Sequence, residues 1–486
     1  MKRVLFFLLA LTILLPLAAC GSDLESTPAP AEKKTAVKDE AAQKETENKA
    51  QVSLPKGFST GFARTDVSPY GYSVRMNSTS TATTVKDPIF ATCVAVSDGE
   101  QIALFFSLDI RNTTKAEQMI NIVNKATKVP KENMFFTATH NHSGPDPTAS
   151  TSDVTHWYTD FYKALSKTAQ DAIADLTPTE IYVGKALSPA GTNFVRRYRR
   201  ADGSWDGIHN ANTSTAPVAA YESEADKELR TIRFERGDKK DILMVNWQAH
   251  AAHALSSNHS VITADFITNF RKGVEKEMDV HFAYFQGAAG DINFSSHMND
   301  KKYDGWEEIG TVLVDVAKES VASETPAESG KLQITKSVLA GTVRKETAER
   351  VKNAKEVNKA SGDGEKEALT AQYGFASRYE VSAVIKRDSM GETSDLPLYC
   401  ISFGDVAFAS APFEMFNTNG VALRAASPYK MTFNCSYTNG ACGYMPSYEA
   451  FNHGGYEVHT CYFTQGTAEA CVDECVRILN EHFANR

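Results

Sequence analysis

Short apolar runs that end in polar clusters recur along this chain. Gln101–Asp109 (QIALFFSLD) and Asn133–Thr139 (NMFFTAT) read as buried strands, and Lys115–Thr127 between them has helical apolar spacing. Asp153–Leu176 predicts a long helix. Thr179–Lys185 and Glu228–Arg236 alternate as strands, and Asp241–Trp247 (DILMVNW) is a further apolar strand. Asp265–Met278 predicts a helix and His281–Phe285 a strand. Asp304 is placed to cap a helix whose Trp306, Ile309, Leu313 and Val316 share a face. Ala348–Tyr373 reads as a polar helical excursion broken at Gly362-Asp363-Gly364. Leu398–Ser410 holds two short strands, and Thr467–Phe483 closes the chain as a helix. No repeat and no second linker interrupts residues 57–486. The expectation is one large α/β domain of mixed α+β type, with mixed sheets flanked by helices.

The first 56 residues have another character. Two positive charges precede the apolar run Val4–Ala19, which ends in Leu17-Ala18-Ala19-Cys20. The run is short for a membrane span, and a cysteine where it stops fits a lipoprotein signal peptide over residues 1–19. Cys20 would then carry the lipid. Residues 20–56 are rich in Ala, Lys, Glu, Thr and Pro and lack large apolar residues, so they read as a flexible tether. The expected location is extracytoplasmic, on a membrane-anchored lipoprotein of bacterial type.

Composition narrows the classes. Of 486 residues, 51 are Lys or Arg and 60 are Asp or Glu, a formal net charge of −9. That balance argues against nucleic acid as a partner, which would demand a basic face. Besides Cys20 there are Cys93, Cys400, Cys435, Cys442, Cys461, Cys471 and Cys475. An exported location allows one or two local bridges among the C-terminal five, and the odd count leaves at least one thiol unpaired.

Polar clusters that follow apolar strands are the candidates for chemistry, because a strand end holds a side chain better than a loop tip. His140-Asn141-His142 follows one such strand. Two imidazoles two apart on an extended segment point the same way, so they can meet one metal, or one can bind while the other moves protons. His250 follows another, with His253 and His259 nearby as solvated loop residues. Glu414, in Ala411-Pro412-Phe413-Glu414, is either a solvated turn residue or a buried ligand. No Gly-x-Ser-x-Gly elbow, phosphate-binding GxxxxGK[ST] loop or HExxH helix competes.

In combination these segments resemble a known family. The segments are Ala63-Arg64-Thr65-Asp66-Val67-Ser68-Pro69, Thr139-His140-Asn141-His142-Ser143-Gly144-Pro145, Asn246-Trp247-Gln248-Ala249-His250, Gln286–Asp291, and the tyrosine sites at Tyr444 and Gly455-Tyr456-Glu457. In this order they are similar to motifs of the catalytic domain of the neutral/alkaline non-lysosomal ceramidases. The resemblance spans most of 57–486.

It implies a zinc hydrolase of linear amides, such as ceramide, cleaved to sphingosine and fatty acid. One Zn2+ per chain would be held by His140, His250, Glu414 and Tyr444. His142 would act beside the reacting water as the proton carrier, and Tyr456 would contact the scissile group. Arg196 matches a substrate-contacting arginine, with Arg197 one step away. Asn293 stands where the family carries a substrate-contacting serine, so that contact has a different reach. The family's immunoglobulin-like C-terminal domain is not expected after the terminal helix. The implied partners are a lipid or other N-acylated small molecule and, through Cys20, a membrane. The same ligands would serve a zinc esterase or amidase acting on cell-wall or carbohydrate substrates. A non-enzymatic binding lipoprotein is the remaining alternative.

Overall fold

Three β-sheets turn one face each toward a shared apolar interior. The computed structural model describes residues 54–76, 80–146, 152–209, 214–254, 260–294, 303 and 305–486. The signal segment, Cys20, the tether, His259 and Asp304 lie outside these residues. The helix expected after Asp304 runs over Trp306–Ala322 with Gly305 at its cap, and Trp306, Ile309, Leu313 and Val316 are buried on one face. Among the described residues no helix is long and apolar enough to cross a membrane.

The first sheet is ordered Met134–Ala138, Ile102–Leu108, Phe90–Ser97, Ser59–Asp66, Thr177–Pro178. The second is ordered His281–Gln286, Lys239–Trp247, Glu228–Arg236, Glu180–Leu187, Thr325–Ala327. The third is ordered Gln333–Thr342, Thr393–Phe403, Val406–Ser410, Met431–Cys435. Helices cover the outer faces. Ser152–Ala174 lies on the first sheet, Phe266–Met278 and Trp306–Ala322 on the second, and Thr467–Ala484 and Asn417–Ala426 on the third. The expected mixed α+β class is what the chain adopts.

Being covered on both faces explains why the strands are apolar throughout instead of alternating. Phe105 and Phe135 point into the shared interior, while Phe106 and Phe136 point toward the helices. Phe105 meets Phe408 of the third sheet at 4.4 Å between ring centroids, so the sheets interlock through aromatic rings. Truncating such a ring to alanine costs about 3–5 kcal/mol.

Each sheet carries one parallel pair. Ile102–Leu108 runs parallel to Met134–Ala138, Lys239–Trp247 to His281–Gln286, and Val406–Ser410 to Met431–Cys435. Parallel neighbours release the chain at the same edge, and loops at such carboxyl ends are where α/β folds gather ligand sites. His140, His250, Asp291, Glu414 and Tyr437 all lie just beyond such ends.

Three sequence expectations change. The excursion holds a third helix, Arg378–Ser389, besides Ala348–Lys359 and Asp363–Gln372, and these helices share a small core that includes Val351, Phe375 and Val384. Its buried Arg387 donates to the carbonyls of His459 and Cys461, which ties it to the main body. Thr393–Phe403 is an 11-residue strand, longer than expected, because its residues Thr393–Ser402 pair with Gln333–Thr342. The seven described cysteines are free thiols, and all but Cys442 are buried. Cys471 and Cys475 both face the core beneath the third sheet.

Candidate metal centre

His140 does not continue its strand. Met134–Ala138 ends first, and His140 adopts a left-handed backbone with φ 59°. The expected extended His-x-His geometry is therefore a turn. The turn still brings the imidazoles together, with Nε2 of His140 and His142 2.9 Å apart and the rings at 89°. His140 Nδ1 lies 2.7 Å from the carbonyl of Arg111. A carbonyl can only accept, so Nδ1 carries the proton and Nε2 presents a lone pair.

His250 repeats the device. Its Nδ1 lies 3.1 Å from the carbonyl of Ile292, which leaves Nε2 free of a proton and 3.2 Å from Oε2 of Glu414. The same carboxylate oxygen lies 3.7 Å from His140 Nε2. Glu414 is fixed by its own backbone, since its N–H donates to Gly443 and it pairs with Tyr444 in a short parallel bridge. Gly290 leaves room for that segment: a Cβ there would sit 2.6 Å from the Glu414 carbonyl oxygen.

Two imidazole lone pairs and a carboxylate oxygen thus face one another with no proton between them, an arrangement that a bound cation would answer. A tetrahedral ion with bonds of about 2.0–2.1 Å sets its ligand atoms roughly 3.3–3.4 Å apart, close to the 3.2 and 3.7 Å edges found here. Backbone carbonyls that fix the far nitrogen are the usual support of metal-binding histidines. The ligand atoms of His140, His142 and His250 also lie within 4.8 Å of one another, so the three imidazoles form a group able to hold a metal ion.

The electrostatics agree. Burial holds His140, His142 and His250 below the ordinary imidazole value, so they stay neutral. Burial would raise the Glu414 carboxyl, yet the sum of its contacts holds it below the ordinary carboxylate value, so it is ionised. Among the described residues, Glu414 has no Lys or Arg ion-pair partner.

The neighbouring arginines are already answered. Arg196 donates from Nε to Glu457 at 2.7 Å and from Nη2 to the Tyr444 hydroxyl at 3.0 Å, and its Nη1 lies 3.4 Å from His250 Nε2. Arg197 turns away, to Glu222 and to the other oxygen of Glu457. Of the two, Arg196 is the one at the cluster. Tyr444 borders it through Arg196 and through its pairing with Glu414. Tyr456 stands one ring farther out, 5.4 Å from Tyr444 between centroids, and also meets Tyr379 and His209. The Asn293 side chain bonds back to the N–H of Phe294, although its strand neighbours the Arg196 segment. His253 lies at the side, 6.1 Å from the Phe294 ring.

Sequence reasoning passed over three residues. Tyr437 stacks on His140 at 3.8 Å and 11°. Glu457, next to Tyr456, is buried between two guanidiniums. Arg111, whose carbonyl orients His140, lines a cavity of about 280 Å3 together with His140, Glu414 and Tyr437. The apolar strand before Arg111 was legible, but the role of its polar exit was not.

No family model and no curated protein matches this sequence. Solved structures do share its fold. The neutral ceramidase from Pseudomonas aeruginosa superposes with a TM-score of 0.63 over 87% of this chain and 74% of that one, at 16% identity. A ceramidase complexed with C2 gives 0.65 over 88% and 76%, at 15% identity. The fold of this chain is that of the neutral ceramidases.

Proposed function

We propose that this chain is a zinc-dependent hydrolase of linear amide bonds in N-acylated compounds, with ceramide, cleaved to sphingosine and fatty acid, as the model substrate. The observation that carries the reading is the convergence of His140 Nε2, His250 Nε2 and Glu414 Oε2 with no proton among them. Nitrogen and oxygen donors in that arrangement suit zinc, and Tyr444 is the candidate fourth ligand. The shared fold and the neighbour complexed with C2 support an N-acyl lipid as the model.

When bound, the ion would supply Lewis acidity and acidify a water molecule. The rest falls to the chain's own side chains. His142 is neutral and carries its proton at Nε2, so it can hand a proton toward a leaving amine and take one back. Arg196 holds the Tyr444 hydroxyl in place. Tyr456 keeps its proton because burial, followed by Glu414, pushes the phenol up, so it can donate to a developing oxyanion. Glu457 supports Arg196 from behind.

At the cell surface the domain would be tethered by residues 20–56 to a lipid on Cys20, with residues 1–19 removed. Cys20→Ser would release it from membranes.

The test is metal content after native purification, together with mass-spectrometric detection of fatty acid released from an N-acyl lipid mixture. About one zinc per chain and chelator-sensitive release are expected. Folded protein that binds no zinc and releases no fatty acid would overturn the reading.

A further inference from the structure

Buried arginines near the centre are committed to carboxylates. Arg196 pairs with Glu457, Arg197 with Glu222 and Glu457, and Arg271 with Asp109. Arg111 differs. It is half-buried and lines the cavity beside His140 and Glu414, yet its guanidinium has no ion pair or hydrogen bond among the described residues. Its backbone is held in place. The Arg111 carbonyl receives His140 Nδ1–H, and two residues on, the Thr113 hydroxyl sits between the carbonyls of Tyr437 and Gly440 at 2.9 and 2.8 Å. Asn112 and Thr114 line the same wall. Asp146, the other carboxylate besides Glu414 in this cavity, has partners of its own.

A planar fork of donors lining the cavity beside His140 and Glu414, with its acceptors missing, matches a carboxylate or similar oxyanion on a ligand. We propose that Arg111 determines specificity by binding an anionic group on the substrate, so that the preferred substrate is an N-acyl compound whose amine half carries a carboxylate, as in an N-acyl amino acid. This rests on the amide-hydrolase reading and narrows it. A neutral two-chain amide would leave Arg111 unanswered and would have to cross a polar wall.

The test compares N-lauroyl-glycine with its neutral terminal amide on the zinc-loaded protein. The acid should have a kcat/KM roughly 10- to 100-fold higher, with the difference carried by KM, as expected for one charge-assisted pair. Arg111→Gln should erase the preference by raising KM for the acid alone, with zinc content unchanged, and Arg111→Lys should restore part of it. Equal cleavage of acid and amide by the unmodified protein would overturn the Arg111 role while leaving the hydrolase standing. This comparison does not depend on any variant folding. Binding of the acid that weakens in Arg111→Gln, measured by calorimetry without any turnover, would keep the subsite and remove the hydrolase reading.

Discussion

His142 Nε2 lies 2.9 Å from His140 Nε2, and the proton between them belongs to His142, because His140 has already committed its own to the Arg111 carbonyl. The two imidazoles are therefore unequal despite their spacing in the sequence. His140 presents a lone pair, and His142 presents a proton.

That asymmetry predicts different losses. His140→Ala should lose the metal. His142→Ala should retain it, with kcat lower by roughly 10²–10⁴-fold, the range for a positioned proton carrier. Metal analysis beside steady-state kinetics separates the two. Normal turnover by His142→Ala would remove the proton-carrier role.

Glu457 is 1% exposed and answers both Arg196 and Arg197. Removing one partner of a buried network strands the others, at about 3–5 kcal/mol. Glu457→Ala should lower the thermal midpoint clearly more than Glu222→Ala, which leaves Arg197 one carboxylate. Calorimetry on both variants checks the order, and equal midpoints would show that the network is not structural.

Tyr437 supports His140 by stacking. Tyr437→Phe keeps the ring, and its metal content should match the parent protein. Tyr437→Ala opens a cavity beside the ligand, should cost about 3–5 kcal/mol of stability, and should lose metal on dialysis. Dialysis against a weak chelator followed by metal analysis reads this directly. Retention of metal by the alanine variant would mean that the stack does not hold His140.

Asp291 gives a pH signature. Burial, opposed by a hydrogen bond from the Asn417 N–H, raises its carboxyl from 3.8 to about 7. A group that holds its proton more tightly when folded contributes most below the unfolded value and loses that contribution as pH rises through the folded one. Asp291→Asn removes this titration while keeping an acceptor for Asn417. The variant should therefore gain stability relative to the parent between about pH 4 and pH 7, and the difference should level off above that. Thermal midpoints of the metal-free proteins across that range test it, and a flat difference would refute it.

The sequence was most legible where one physical rule dominates. Apolar runs such as QIALFFSLD and NMFFTAT became strands because burial on both faces demands continuous apolarity. The helix Phe266–Met278 begins where Asp265 caps it. The polar strand exits at His140, His250 and Glu414 were also visible, since each follows an apolar run. Gln333–Thr342 was not seen, because an edge strand that alternates between half-buried and exposed residues carries little apolar signal.

The amino-acid order by itself determined which segments would be strands and helices and which polar groups would stand at their ends, because those follow from local periodicity and burial. The meeting of those ends was a tertiary outcome. Three parallel pairs from three sheets had to release their chains at one edge before residues 140, 250 and 414 could face a common point. Long-range packing likewise decided that Arg196 and not Arg197 reaches the centre, that His140 turns out of its strand, and that Arg111 stands beside it without a partner. Each of these depends on which carbonyl or carboxylate from another part of the chain is brought near, and no local rule encodes that.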